Sequence, residues 1–234
     1  MATVAAPLRA ELVKTGLYLI TGGGGNVLLR LSAAGAVLVN GKQAGMYRPL
    51  MAQLRRVSRL SDLPVRVLML TDTAAHHAAN QALFAAAGVV TLVQQNGRPH
   101  LPAPLPVADP VAHPAARVLT FDHDYHLKIG GVEMRMIHVG PGRTAADSVV
   151  LFPDLKVLAV GDLYSSTPPT AAMAVAGGLD RWRQALAQAL QLDFELVIAS
   201  EGPPRPRADL DALKARLDAL AALADAPGAA PLKP

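Results

Sequence analysis

Two series of secondary-structure signals, alike in their order, constrain this chain more than any single motif does. The first opens with short apolar runs, "LYLI" at 17 to 20, "NVLLRL" at 26 to 31 and "AVLVN" at 36 to 40, separated by Gly-rich turns in the manner of an antiparallel meander. Leu50, Leu54, Val57 and Leu60 then recur at helical intervals, which predicts an amphipathic helix lying over that sheet. A buried strand "VRVLML" at 65 to 70, a helix "AANQALFAAAG" at 78 to 88 and a strand "VVTLV" at 89 to 93 complete the series. The second series runs through "RVLTF" at 117 to 121, "YHLKI" at 125 to 129, "VEMRMIHV" at 132 to 139, "SVVLF" at 148 to 152 and "KVLAV" at 156 to 160. It ends with a helix carrying Leu179, Trp182, Leu186 and Leu190 on one face, a strand "ELVIAS" at 195 to 200, and a helix carrying Leu210, Leu213, Leu217 and Leu220.

Each sheet needs cover on both faces, and two similar halves supply it most economically by packing sheet on sheet. The predicted fold class is therefore α/β, a four-layer α/β/β/α sandwich. With 234 residues and 51% hydrophobic content the chain can bury such a core as one domain, expected over 1–225, with 226–234 as a C-terminal tail. Prolines crowd the segment from 94 to 116, where they deny both ladder hydrogen bonds and helix continuity, so a long connecting loop is expected between the halves.

Composition also narrows the chemistry. The chain has no cysteine, so a metal ion would have to be held by His, Asp or Glu. A net charge of +4 is too small, and too spread out, to specify a nucleic-acid partner. No apolar run is long enough for a membrane span, and no basic leader precedes an apolar segment, so the chain reads as soluble with a small-molecule ligand. Compartment, whether cytoplasmic or that of an exported mature protein, and oligomeric state are left open.

The segment "TDTAAHH" at 71 to 77 lies between an apolar strand and a helix, where adjacent His76 and His77 serve either as polar loop residues or as metal ligands. Asp162, after the strand "KVLAV", suits a carboxylate that accepts loop N–H bonds or one that ligates a cation; the two roles are compatible. "TGGGGN" at 21 to 26 lacks the Gly-Lys-Ser/Thr ending of a phosphate loop and precedes a strand, which makes it a tight turn.

Four separated segments, in order and spacing, resemble the metallo-β-lactamase superfamily from about Gly16 to Pro203. They are the opening strands "GLYLITGGGGNVLLRLSAAGAVLVNGK"; "TDTAAHH" in the place of His-x-His-x-Asp-His; "GPGRTAADSVVLFPDLKVLAVGDLY" with its Gly-Asp; and "VIASEGPP" where Gly-His-Gly-Pro is usual. The resemblance implies the sandwich fold and a hydrolase acting on a small ester, amide or lactone. It also implies that the first-metal positions fall on Asp72, Ala74 and Arg143, of which only Asp72 can ligate.

The second-metal positions fall on His76, His77 and Glu201, with Asp162 in the bridging place. These four suit one zinc, iron or manganese ion. Lacking the usual Asp at position 76, residual catalysis would draw its base from His76, Asp162 or Glu201, and Tyr164, Met173 and Val175 are candidates for the substrate pocket. The competing expectation is a metal-free pseudoenzyme, a binding or scaffold protein in which the Arg143 guanidinium pairs with Glu201, Asp72 or Asp162 and fills the former site.

Overall fold

The computed structural model describes residues 7–58, 63–105, 117–164 and 178–224. Met173 and Val175, Leu60, the later part of the proline-rich segment and the expected tail lie outside these residues.

Among the described residues, thirteen strands form two sheets. The first contains β1 (Arg9–Lys14), β2 (Leu17–Thr21), β3 (Val27–Ser32), β4 (Gly35–Val39), β5 (Val65–Leu70), β6 (Val90–Gln94) and β7 (Val118–Phe121), paired in sequence order. It is an antiparallel meander from β1 to β4 and parallel from β4 to β7. Crossing between its parallel strands are α1 (Tyr47–Ser58) and the short α2 (Ala75–Ala78) and α3 (Gln81–Ala86). The second sheet contains β8 (Asp124–Ile129), β9 (Val132–His138), β10 (Ser148–Phe152), β11 (Val157–Gly161), β12 (Leu196–Ala199) and β13 (Arg205–Pro206), in the spatial order β13-β12-β11-β10-β9-β8. Its helices are α4 (Gly178–Ala189) and α5 (Arg207–Ala224).

Side-chain alternation sorts the core into three layers of contact, as the two-residue strand period requires. Val37, Val39, Val67 and Met69 meet Met134, Met136, Val150, Phe152 and Ala159 between the sheets. The residues between them in sequence, Ala36, Leu38, Leu68 and Leu70, face outward onto Leu50, Leu54 and Phe84. On the opposite side Val149, Leu151, Leu158 and Val160 pack on Trp182, Leu186, Leu210, Leu213 and Leu217. The order is thus helix, sheet, sheet, helix, as expected. Continuous apolar runs such as "SVVLF" reflect strands covered on both faces. No helix among the described residues is long and apolar enough to cross a membrane.

Three local expectations are corrected. Strand β1 was not signalled, because "RAELVK" is a largely exposed edge strand whose Leu12 faces solvent, so no burial imposes alternation. The helix expected at 78 to 88 is two short helices broken near Asn80, whose side chain turns to bond the carbonyls of Gly41, Lys42 and Gln43. β7, expected to start the second series, instead pairs parallel with β6 in the first sheet. Local pattern carries no information on which sheet a strand joins.

Candidate metal centre

Strands β4 and β5 are parallel, as are β11 and β12, so their C-terminal ends open at one rim of the sandwich. The loops there are joined by backbone bonds from Ser148 N–H to Thr71 O at 2.9 Å and from Asn26 N–H to Ser200 O at 2.6 Å. Residues from both sheets therefore converge.

His77 is fully buried. Its Nδ1 lies 2.8 and 2.9 Å from the two carboxylate oxygens of buried Asp72. Asp72 Oδ1 also accepts the Ala74 N–H at 2.7 Å, which fixes the turn into α2. An ionised carboxylate only accepts, so Nδ1 carries a proton, and Nε2 is the ring atom whose lone pair a metal ion could take. That Nε2 is buried without a hydrogen-bond partner and lies 3.8 Å from Asp162 Oδ1.

Asp162 follows Gly161, the last residue of β11. Gly161 has φ +54°, and a Cβ there would come within 2.5 Å of Thr71 Oγ1, so glycine is needed both for the turn and for the approach of the two sheets. Asp162 Oδ1 is 3.1 Å from His76 Nε2 and also accepts the Ser200 hydroxyl. Burial works to raise the Asp162 pKa, but hydrogen bonds from His76 and Ser200 and the field of both histidines overcome it and hold the carboxyl well below its ordinary range. His76 shifts upward in return, chiefly through its bond to Asp162 against the opposing effect of burial.

His76, His77 and Asp162 each offer one ligand atom within 4.8 Å of the others, and no second such group of His, Asp or Glu occurs among the described residues. The fit to a divalent ion rests on the unsatisfied buried Nε2 of His77. Two imidazoles and a carboxylate are a donor set for zinc, iron or manganese. Glu201 does not join this group: it is exposed, and is near enough that its charge raises the His76 pKa.

Arg143 is placed differently from expectation. It makes no ion pair with Asp72, Asp162 or Glu201; its Nη1 donates to the Asp162 backbone carbonyl at 3.4 Å, and the guanidinium sits 5.7 Å from the Trp182 ring centre. Asp72 is not free for it, being committed to His77. Ala74 offers only backbone to the site. Tyr164 is half-buried and packs against the outer core of the second sheet.

Several residues that build the site carried no signal in the sequence. Ser200, adjacent to Glu201, reaches Asp162. Asp147 is buried and accepts from the N–H groups of Arg143, at 2.5 Å, and Thr144, at 3.1 Å, shaping the loop that presents Arg143. Gly25, in "TGGGGN", lies against both imidazoles: a Cβ there would meet His76 Cδ2 at 2.9 Å and His77 Cδ2 at 3.2 Å. The glycine run is thus a turn, as predicted, and also a wall of the site.

No protein-family model matches the sequence, and no curated protein matches it. Solved structures do match. A metallo-β-lactamase from Pontibacter korlensis is similar with a TM-score of 0.73 and 20% identity over 90% of this chain and 99% of that one. The DIM-1 metallo-β-lactamase has a TM-score of 0.73 and 18% identity over 92% and 99%. The mono-zinc form of the metallo-β-lactamase FIM-1 from Pseudomonas aeruginosa has a TM-score of 0.72 and 18% identity over 95% and 98%. The chain has the metallo-β-lactamase fold.

Proposed function

We propose that this protein is a metal-dependent hydrolase of small ester, amide or lactone substrates, with a single divalent ion held by His76, His77 and Asp162. Glu201 or water supplies the remaining position. The observation that carries the reading is the buried His77 Nε2, which has no protein partner and is aimed at the same Asp162 oxygen that His76 approaches.

A divalent ion in such a place supplies Lewis acidity toward a carbonyl and makes water more acidic. The chain's own groups do the rest. Asp72 holds His77 in the ligating tautomer, since its two oxygens leave Nδ1 no role but donor. Ser200 anchors Asp162 and keeps it ionised. Where water takes the remaining position, exposed Glu201, close enough for its charge to raise the His76 pKa, is the carboxylate suited to take a proton from water and return it to a leaving group. The absence of a second such ligand group among the described residues favours one ion over the pair common in the superfamily: Ala74 has no donor side chain, Arg143 brings a cation, and Asp72 is engaged with His77.

The mono-zinc form of FIM-1 shows that this fold accommodates one ion in a relative. Metal analysis of protein purified without chelators and then offered zinc, manganese or iron tests the reading. About one equivalent is expected, lost in His77→Ala. Less than about a tenth of an equivalent, given how tightly protein zinc sites bind, would refute it. Stoichiometric binding followed by turnover of a panel of chromogenic esters, lactones and anilides identifies the substrate class.

A further inference from the structure

Lys42 is a fully buried lysine, and among the described residues no carboxylate pairs with it. Its Nζ donates to three backbone carbonyls, those of Ile20 at 2.9 Å, Gly22 at 2.6 Å and Gly25 at 2.8 Å. An ammonium has three N–H donors, so the match is complete. Burial lowers its pKa from the ordinary lysine value to about 8, which leaves it charged at neutral pH. Taking an ammonium out of water without a counter-ion is costly, and among the described residues the three carbonyl dipoles are its compensation.

The backbone of Lys42 is held as tightly as its head. Asn40 and Lys42 both have left-handed φ, +66° and +70°, unusual for residues with a side chain. Asn80 Nδ2 bonds the carbonyls of Gly41, Lys42 and Gln43, Gly41 N–H donates to His77 O at 2.7 Å, and Asn40 Oδ1 accepts from the Thr71 N–H at 3.0 Å. One end of Lys42 is therefore tied to the segment that carries His77. The other end grips the glycine loop whose Gly25 leaves no room for a Cβ against His76 and His77.

We propose that Lys42 is a positioning residue for the metal centre: its ammonium draws the Gly22–Gly25 loop against the two imidazoles and holds them at the spacing an ion requires. This inference rests on the reading of the site as a metal centre. A neutral side chain of equal length would take the Nζ donor from all three carbonyls at once, and the loop would turn toward water and release the imidazoles.

The absence of cysteine makes a chemical test available. Lys42→Cys places a single thiol in the chain, which is alkylated in denaturant with 2-bromoethylamine, restoring an ammonium at lysine's length, or with 1-bromopropane, giving a neutral side chain of the same length; both products are refolded. Cobalt(II) affinity is read by visible absorption, and the His76 and His77 ring resonances with the amide exchange of Gly22–Gly25 are read without metal. The propyl form is expected to bind cobalt tenfold or more weakly than the parent, with moved ring resonances and faster loop exchange, while the aminoethyl form restores all three.

Equal cobalt affinity and equal resonances in the two alkylated forms would overturn the proposal. So would a propyl form that cannot fold while the aminoethyl form can, since Lys42 would then be needed for folding alone. If neither the parent nor any variant binds cobalt, the metal reading fails, and the metal-free resonances and exchange rates still decide whether the ammonium positions the imidazoles.

Discussion

Asp72→Asn separates the roles of charge and shape at the proposed metal centre. The substitution is nearly isosteric, and the asparagine carbonyl keeps the bond from the Ala74 N–H, now made to Asp72 Oδ1 at 2.7 Å. The amide NH2 then falls where Asp72 Oδ2 lies, 2.9 Å from His77 Nδ1. The asparagine carbonyl stays 2.8 Å from Nδ1, but an N–H donor now opposes the ring proton, so the Asp72 carboxylate no longer fixes it on Nδ1 and the tautomer with the proton on Nε2, toward Asp162 Oδ1 3.8 Å away, gains population. The lone pair offered to a metal ion is held less firmly. Removing such a supporting carboxylate costs about 10–100-fold in metal affinity, or ~1.4–2.8 kcal/mol. The loss of a charge-assisted bond inside the protein lowers metal-free stability by a further ~1–3 kcal/mol. Zinc affinity is measured by competition with a chromophoric chelator, and the His77 tautomer by the nitrogen shifts of its ring. Zinc affinity within about twofold of the parent, with Nδ1 still protonated, would refute the tautomer argument.

Three further outcomes are expected. Gly25→Ala forces its Cβ to 2.9 Å from His76 Cδ2, so thermal unfolding should show a loss of ~1–3 kcal/mol, with weaker cobalt binding; an unperturbed variant would mean the loop yields freely. Asn80→Ala strips the donor from the carbonyls of Gly41, Lys42 and Gln43 and should cost ~1–3 kcal/mol in urea unfolding, with faster amide exchange across that segment. In metal-free protein the raised His76 pKa contributes stability that is full below its ordinary value of 6.5 and fades as pH rises through the folded value, while the lowered Asp162 pKa contributes stability that fades as pH falls below the carboxylate range. Because His76 is partly exposed, the decline from pH 6 to 9 should be about 1 kcal/mol or less; it should vanish in Asp162→Asn, and an identical pH profile in that variant would count against the pair.

Much of the architecture is legible in the chain. Runs such as "AVLV" and "SVVLF" are apolar at consecutive positions because both faces of those strands are covered, and the helical spacing of Leu210, Leu213 and Leu217 marks the face of α5 laid on the second sheet. Where burial is weak the pattern is silent: β1, with Leu12 in solvent, offers no alternation to read. Strand partnership was also out of reach, since the pairing of β7 with β6 is a long-range choice that local composition does not encode.

At the site, sequence alone determined the inventory: two adjacent imidazoles after a strand, a carboxylate after another, no thiol, and a guanidinium and an alanine where the resemblance would place ligands of a first ion. Those are properties of residue type and order. Only the tertiary structure decided which groups meet. It joined His77 to Asp72, His76 and Ser200 to Asp162, laid Arg143 beside Trp182 without an ion pair, and set Lys42 behind the glycine loop. Such contacts link residues up to 86 positions apart for His76 and Asp162. They depend on angstrom-scale approach between two sheets, a quantity set by packing of the whole core and carried by no single segment.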